Sequence, residues 1–431
     1  MLSSVTRSDY KILFFFCGFF SVANGFFFQV GSFNLRLYDL FFLLLPVYWF
    51  FIKEQQKLHF SRKIYIGFSL IFCVFLYFTF SGFFRYGWFN EVYQDFFVKY
   101  YINKILWIII YAIIYMMYGN NLLFYFLCGL STCIILNSLF VFYEYAVIAN
   151  GYIPDYSFLE SFGLYVESKK NDVINQNMIR PTGLMLDPNY TGGYSGIALI
   201  FLDYLRTKSQ KWLFYIFQFL CVIIVLLVFS RTGLFSLLLC FFLSLILYSI
   251  YKKKYTQVHI LSLAVFFLGG LLVVFYLMYL YTIDESVFEM LVDRLLMNDS
   301  SAGTRTLYLE TYCNEVDIVN LLFGCGTGAS GMILGNIYGG AGSNEVWSPE
   351  SNIITFFIEQ GLVFICFYFF LTLRISVLLF KKHFYYFLIF MYVNLIGISY
   401  NFLGDRIFFF LYVVFCMFSF ANREGYKKNI S

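Results

Sequence analysis

The sequence predicts an all-α polytopic membrane protein with about 12 transmembrane helices. Of its 431 residues, 61% are hydrophobic and 13% are charged, whereas soluble domains have about half apolar and about a quarter charged residues. Apolar runs of membrane-spanning length recur along the chain. The composition excludes an ordinary soluble enzyme and a disordered protein. The net charge of +4 is too small and too scattered for a nucleic-acid-binding protein.

Twelve apolar runs account for the predicted spans, because a transmembrane helix needs about 20 mainly apolar residues. They lie near residues 12–30, 37–52, 64–84, 101–118, 121–148, 190–205, 212–229, 232–251, 260–282, 351–373, 384–402 and 406–421. The first eleven residues lack the layout of a cleavable signal peptide. We therefore expect a single integral membrane domain over residues 1–431.

The distribution of Lys and Arg predicts the orientation. Of the 29 basic residues, 18 fall in inner loops if the N-terminus is cytoplasmic, and most of these loops are short. The positive-inside rule then places both termini in the cytoplasm. Two long loops, near 149–189 and 283–350, are predicted to be extracytoplasmic, and the second joins the ninth and tenth spans.

The second long loop combines amphipathic patterns with a Gly-rich segment. Apolar residues recur at helical spacing in Ser286–Met297 and Thr304–Phe323, and glycines are frequent from Gly324 to Gly342. Short surface helices followed by a flexible segment predict a lid over a site. The run Gly324–Gly328 lacks the Lys-Ser/Thr ending of a phosphate-binding loop.

Arginines on the predicted outer face are the main functional signal. Arg180, Arg231 and Arg305 lie in Arg-Pro-Thr-Gly, Ser-Arg-Thr-Gly and Gly-Thr-Arg motifs, and Arg294 and Arg406 are also predicted to be outside. A guanidinium pairs with phosphate in a bidentate manner and stays charged when partly desolvated. The alternatives are that Arg231 reaches lipid headgroups, and that Arg180 and Arg305 are solvated or pair with acidic residues nearby in the sequence, Asp187 and Glu310.

One carboxylate is placed to act as a base. Glu350 lies where the second long loop re-enters the membrane, and partial desolvation there would favour a general base. The structural alternative is a carboxylate that stabilises the start of a helix, with Ser351 or Asn352 as the N-cap.

Other polar residues have both a functional and a structural interpretation. Asp187-Pro-Asn189 begins the sixth span, either as a turn and N-cap or as a contact for substrate hydroxyls. Asp39 and Glu144 lie in or near spans, where acidic residues are functional candidates, although both are close enough to span ends to be solvated. All three histidines, His59, His259 and His383, fall at predicted cytoplasmic edges. The ten cysteines form no CxxC motif, and no metal site is predicted.

Five motifs in order resemble the O-antigen polymerase and ligase superfamily of bacterial envelope glycosyltransferases. They are Arg-Pro-Thr-Gly-Leu with Asp-Pro-Asn at 180–189, Ser-Arg-Thr-Gly at 230–233, Gly-Thr-Arg at 303–305, Leu-Leu-Phe-Gly-Cys-Gly at 321–326, and Glu-Ser-Asn with Glu-Gln-Gly-Leu at 350–362. The resemblance covers residues 175 to 365. The ligase branch has a His-Asn pair where this chain has Glu350-Ser351-Asn352, so the polymerase branch is the better match.

The resemblance implies a GT-C-like enzyme without cofactor in the cytoplasmic (inner) membrane. Its donor and acceptor would both be undecaprenyl-pyrophosphate-linked oligosaccharides, and a polysaccharide chain-length regulator would be a partner alongside membrane lipids. Catalytic roles carry over to Arg231, Arg305 and Arg180, and Glu350 is expected from its position to act as the catalytic base. Substrate-binding roles are expected for Asp187, Asn189, Asn352, Arg294 and Arg406. The alternatives are an O-antigen ligase or protein O-oligosaccharyltransferase of the same superfamily, and a lipid-linked oligosaccharide flippase.

Overall fold

The computed structural model shows a largely helical chain. It describes residues 9–23, 27–30, 33–51, eight positions between 65 and 80, 103–150, 152, 154–155, 181–185, 187–209, 212–228, 230–251, 309–326, 329–331, 333–334, 351–400 and 406–421. The helices are α1 Asp9–Val22, α2 Leu37–Phe51, α3 Asn103–Tyr118, α4 Asn121–Ala149, α5 Pro188–Ser209, α6 Leu213–Leu227, α7 Arg231–Tyr251, α8 Ile318–Phe323, α9 Asn352–Lys382, α10 Phe384–Ser399 and α11 Arg406–Phe420.

The predicted all-α class is confirmed for the described residues, apart from one small hairpin. Strands β1 (Phe27–Val30) and β2 (Phe33–Arg36) pair antiparallel, with Phe27 opposite Arg36. The first span was predicted to continue to residue 30, but α1 ends at Val22. The sequence Asn24-Gly25 explains the shorter helix, because both residues disfavour helix continuation.

Ten of the twelve predicted spans coincide with described helices. The described positions of the third span are all helical, whereas the ninth span and the pattern at 286–297 lie outside the described residues. Two helices, Asn121–Ile148 and Asn352–Lys382, are long and apolar enough to cross a membrane, and seven shorter helices are apolar. In the second long loop, residues 309–315 and α8 are helical and are separated by a bend at Val316–Asp317.

The chain divides into two compact units. The first contains Met1–His59, Ile113–Tyr279 and Met391–Val393, and the second contains Phe60–Ala112, Leu280–Phe390 and Asn394–Ser431. In the first unit α4 packs against α1, α5 and α6, and α5 also contacts α7. In the second unit α9 contacts α8 and α11.

Two glycines bring α1 and α4 together in the first unit. A Cβ atom at Gly18 would overlap the Phe126 carbonyl, and a Cβ atom at Gly129 would overlap the Phe15 carbonyl. The contact is therefore reciprocal, with each backbone lying where the other helix has no side chain. Small residues at helix crossings allow this close backbone packing in membrane proteins.

We expect Gly129→Ala to lower the free energy of unfolding by about 1–3 kcal/mol, the usual cost of overpacking a close contact. Thermal unfolding of the purified protein in detergent would measure the change. The matched control is Leu139→Ala on the same helix, because Leu139 is 66% exposed and substitutions away from packed contacts cost about 0.5 kcal/mol or less. Equal stability of both variants would contradict the crossing.

In the second unit, α9 is fixed to the end of α11 by a lysine. The Lys382 ammonium donates to the carbonyl oxygens of Phe418 (2.9 Å), Ser419 (2.5 Å) and Ala421. These are among the last carbonyls of a helix, which have no partner within the helix itself, and a cation at a helix C-terminus is favourable. Lys382 thus caps α11 from a neighbouring element.

Candidate functional site

The nine predicted site residues are only partly described. In the first unit the structure describes Asp187, Asn189 and Arg231, and in the second unit Asn352 and Arg406. Glu350, Arg180, Arg305 and Arg294 lie outside the described residues, and their predicted roles stay predictions.

A buried carboxylate holds the turn that follows position 180. The Glu144 Oε2 atom accepts hydrogen bonds from the backbone N–H groups of Thr182 (2.6 Å) and Gly183 (2.7 Å). The Asn137 Oδ1 atom accepts a third, from the N–H of Leu184 (2.6 Å). Glu144 is 2% exposed and Asn137 is fully buried. Two residues of α4 therefore bind three successive amides of the Pro-Thr-Gly-Leu sequence, and we name Asn137, Glu144 and Thr182–Leu184 the clasp.

Gly183 fits the clasp because it has no side chain. Its φ of +64° lies in the left-handed region, which favours glycine. A Cβ atom at this position would overlap the side-chain amide of Asn137. The glycine of the Arg-Pro-Thr-Gly-Leu motif is thus explained by a turn packed against α4.

The clasp also connects to the start of α5. The Thr191 hydroxyl donates to the Thr182 carbonyl oxygen (2.6 Å), and the Thr191 N–H donates to the Asp187 carbonyl oxygen (3.2 Å). The Asp187 Oδ1 atom accepts from the N–H of Asn189 (2.6 Å), the bond expected of an N-cap with Pro188 in the first helical position. The structural interpretation of Asp187, as a turn and helix cap, is therefore the one that its geometry shows.

Asn189 lies where the starts of α5 and α7 meet. The Ser230 hydroxyl is 3.4 Å from the Asn189 Oδ1 atom and accepts from the N–H of Gly233 (3.2 Å), so it caps α7. A Cβ atom at Gly192 would overlap the Ser230 side chain. The Gly192 carbonyl accepts from the Tyr392 hydroxyl (3.2 Å). Within the first unit, the beginnings of two apolar helices are thus in direct contact.

Arg231 is the first residue of α7 and is half-buried. The N-terminus of a helix carries a partial positive charge, so a cation in the first turn does not stabilise its own helix. With the start of α5 beside it, this end of the unit combines a guanidinium with two positive helix termini. Such an arrangement favours an anion, and phosphate groups are common ligands of helix N-termini and arginine.

In the second unit, α9 is interrupted at Gly361. This residue has the non-helical angles φ +78° and ψ 177°, and the chain is helical on both sides of it. The N–H groups of Cys325 and Gly326 donate to the carbonyl oxygens of Ile358 and Glu359 (both 2.8 Å), which the break leaves available. A Cβ atom at Gly361 would overlap the Leu322 carbonyl, so the two backbones touch.

This contact changes the interpretation of the start of the Gly-rich segment. Gly324, Cys325 and Gly326 are buried, the N–H groups of Cys325 and Gly326 are bonded to α9, and Gly324 packs closely against the Glu359 backbone. They form a fixed contact, in contrast to the flexible lid predicted from the sequence. The glycines from Gly335 to Gly342 lie outside the described residues. The Cys325 thiol lies 3.2 Å from the Tyr312 hydroxyl, and Cys313 and Cys325 are not joined by a disulfide.

Ser351 is the N-cap of α9. Its hydroxyl oxygen accepts from the N–H of Ile354 (3.4 Å) and its O–H donates to the Ile398 carbonyl at the end of α10 (2.6 Å). Asn352 is 3% exposed, and its amide nitrogen fills the space that a side chain at Gly397 would take. The position after Glu350 is therefore fixed by the Ser351 cap, and Asn352 is packed against Gly397 of α10.

Arg406 begins α11, and its guanidinium carbon lies 5.4 Å from the centroid of the Trp107 ring. A guanidinium over an indole face is a favourable cation–π contact. Arg406 is thus positioned by an aromatic ring in the second unit. The described contacts of Asn352 and Arg406 are packing contacts, and the predicted substrate-binding role of both stays a prediction.

The sequence indicates Glu144 as an acidic residue in or near a span, but it does not predict that this carboxylate binds the Thr182 and Gly183 amides. It also does not indicate Asn137 as the acceptor for Leu184. The available signal was the ionisable residue itself, because buried charges within apolar helices are paired and functional as a rule. In the residues described, no group of three or more His, Cys, Asp and Glu side chains could hold a metal ion. Comparison with protein-family models, curated proteins and solved structures finds no match for this chain.

Proposed function

We propose that the chain is a glycosyltransferase of the cytoplasmic membrane that polymerises lipid-linked oligosaccharide repeat units. It would cross the membrane about 12 times with both termini in the cytoplasm and act at the extracytoplasmic face. The supporting observation is the end of the first unit where Arg231 and the starts of α5 and α7 meet beside the clasp. An anionic pyrophosphate is the ligand chemistry that this arrangement favours.

The proposed reaction transfers the nascent glycan from one carrier lipid to a new repeat unit. A sugar hydroxyl of the acceptor attacks the anomeric carbon of the donor, forming a glycosidic C–O bond. The bond between that carbon and the pyrophosphate oxygen breaks, and undecaprenyl pyrophosphate leaves. Glu350 would accept the hydroxyl proton, while Arg231, Arg180 and Arg305 would offset the charge that develops on the leaving pyrophosphate.

The clasp gives the first long loop a defined end. Because Pro181 follows Arg180 directly and Thr182–Leu184 are bonded to α4, the chain enters α5 along a fixed path. Pre-organised charge is more effective in catalysis than charge that must be positioned during the reaction. This is the role we assign to the Arg-Pro-Thr-Gly-Leu sequence, with Asn189 and Asp187 shaping the start of α5. We further propose contacts of Asn352, Arg294 and Arg406 with the glycan, and a chain-length regulator as partner.

A lipid-linked oligosaccharide flippase is the second candidate. The observation that favours it is the break in α9 next to the buried Glu359, since discontinuous helices with polar groups are typical of transporters. However, the carbonyl oxygens freed at this break are bound by Cys325 and Gly326. Their hydrogen-bonding capacity is therefore already used by the protein, which favours a structural break.

Deletion of the gene in its host separates the two candidates. We expect surface glycans with a single repeat unit to remain and long chains to disappear, as resolved by gel electrophoresis and reversed by complementation. This pattern means that export and attachment still work without polymerisation. Loss of all surface repeat units would contradict the polymerase and favour a flippase or a ligase.

A further inference from the structure

Two lysines flank one pair of aromatic rings at the other end of the first unit. The Lys11 ammonium lies 5.5 Å from the centroid of the Tyr125 ring. The Lys208 ammonium lies 5.9 Å from the Phe124 ring and 4.7 Å from the Tyr204 ring. Phe124 and Tyr125 are adjacent on α4, with centroids 5.4 Å apart. We name Lys11, Phe124, Tyr125, Tyr204 and Lys208 the lysine–aromatic surface.

The net charge of this surface is not neutralised by the described residues. Neither lysine contacts a carboxylate there, and the first turn of α4 contains no acidic residue. An aromatic ring attracts a cation through its quadrupole but carries no net charge. The rings thus hold the ammonium groups in place and leave both positive charges available.

A neighbouring basic residue differs in this respect. The Arg206 guanidinium donates to the Asp203 carboxylate (2.7 Å) and to the Tyr215 hydroxyl (2.8 Å), and both Arg206 and Asp203 are buried. Gln218 also donates to Asp203 (3.2 Å). Arg206 therefore joins α5 to α6 as part of a neutral network. Its partners explain why we assign ligand binding to the two lysines alone.

Exposed apolar side chains adjoin the lysines along the chain. Ile12 follows Lys11 and is 53% exposed, and Trp212, four residues after Lys208, is 71% exposed. Tryptophan is enriched where a membrane meets water, and basic residues are enriched at the cytoplasmic side. Both features agree with the predicted cytoplasmic position of this end. A ligand with a negative headgroup and apolar chains would match both the lysines and their apolar surroundings.

We propose that the lysine–aromatic surface binds the phosphodiester headgroup of an anionic glycerophospholipid in the cytoplasmic leaflet. The two ammonium groups would pair with the phosphate oxygens, and the acyl chains would lie along exposed residues such as Ile12. Basic surfaces between helices at the cytoplasmic side bind anionic lipid headgroups in this manner. The proposal is independent of the reaction at the opposite end of the first unit.

Lipid binding to the full-length protein in detergent tests the proposal. Native mass spectrometry would compare phosphatidylglycerol with phosphatidylcholine of the same acyl chains, using the wild type, Lys11→Gln, Lys208→Gln and the double variant. We expect phosphatidylglycerol to be preferred. Each single substitution should weaken its binding about fivefold and the double substitution about thirtyfold, as expected for basic residues at an anionic membrane surface.

The matched control is Lys381→Gln, an exposed lysine at the end of α9 in the second unit. It removes the same charge, and we expect unchanged phosphatidylglycerol binding. Replacement of both lysines by arginine keeps both positive charges and should keep the phosphatidylglycerol binding. Loss of binding in the double Gln variant can then be assigned to the lost charge. Equal binding by the wild type and the double Gln variant would overturn the proposal. Equally tight binding of soluble glycerophosphate would overturn the assignment to a membrane lipid.

Discussion

Replacing Arg231 with Ala is expected to reduce polymer formation about 10²–10³-fold, the usual effect of removing one group that stabilises transition-state charge. Arg231 begins α7 beside the Ser230 cap, where its charge does not stabilise its own helix. Its loss should therefore affect the reaction much more than folding. Polymerisation by purified protein from a lipid-linked repeat unit would measure the rate, and thermal unfolding would measure the stability.

Two further variants make the Arg231 experiment specific. Arg231→Lys keeps the charge but loses the planar fork that binds a pyrophosphate in a bidentate manner, so we expect an intermediate rate. Arg374→Ala is the control, because Arg374 is exposed on α9 and is predicted to be cytoplasmic. It should polymerise at the wild-type rate. Normal chain length with Arg231→Ala would exclude this residue from the reaction.

The helices were predictable because hydropathy alone identifies long apolar segments. The predicted runs 121–148 and 406–421 match α4 and α11 to within one residue at each end. The first run failed at its end, because Phe26–Val30 is as apolar as a helix interior while its backbone, where described, forms β1. High hydropathy indicates that a segment is buried in lipid or in the protein interior, but it does not distinguish a helix from a short strand.

The geometry of the candidate site could be predicted only where the interacting residues are neighbours in the sequence. Asp187-Pro188-Asn189 is a complete cap within three residues, so its turn could be derived from the sequence. The clasp joins Glu144 to Thr182 across 38 positions, and no local pattern encodes such a pair. The same limit applies to Cys325 and Gly326, whose hydrogen-bond partners in α9 follow more than thirty residues later. Glycine frequency predicted flexibility there, and tertiary contacts gave a fixed position.

Glu144→Ala is expected to have the largest effect on stability. The substitution leaves the N–H groups of Thr182 and Gly183 buried without their acceptor. An unsatisfied buried donor costs about 1–3 kcal/mol, so the loss of both bonds should lower the free energy of unfolding by about 2–6 kcal/mol. Glu144→Gln keeps one carbonyl oxygen, and we expect a smaller loss because neutral hydrogen bonds are about half as strong as charge-assisted ones. Thermal unfolding in detergent would rank the three proteins.

The effect on activity separates the clasp from a purely local contact. If Glu144 fixes the path of the chain from position 180 into α5, then Glu144→Gln should reduce polymerisation even at temperatures where the variant is fully folded. Asn137→Ala, which removes the acceptor of Leu184 on the same turn, should do the same to a smaller degree. Glu315→Ala removes an exposed carboxylate in the second unit and should change neither property. A folded Glu144→Gln protein with wild-type polymerisation would show that the clasp stabilises the first unit without positioning its site.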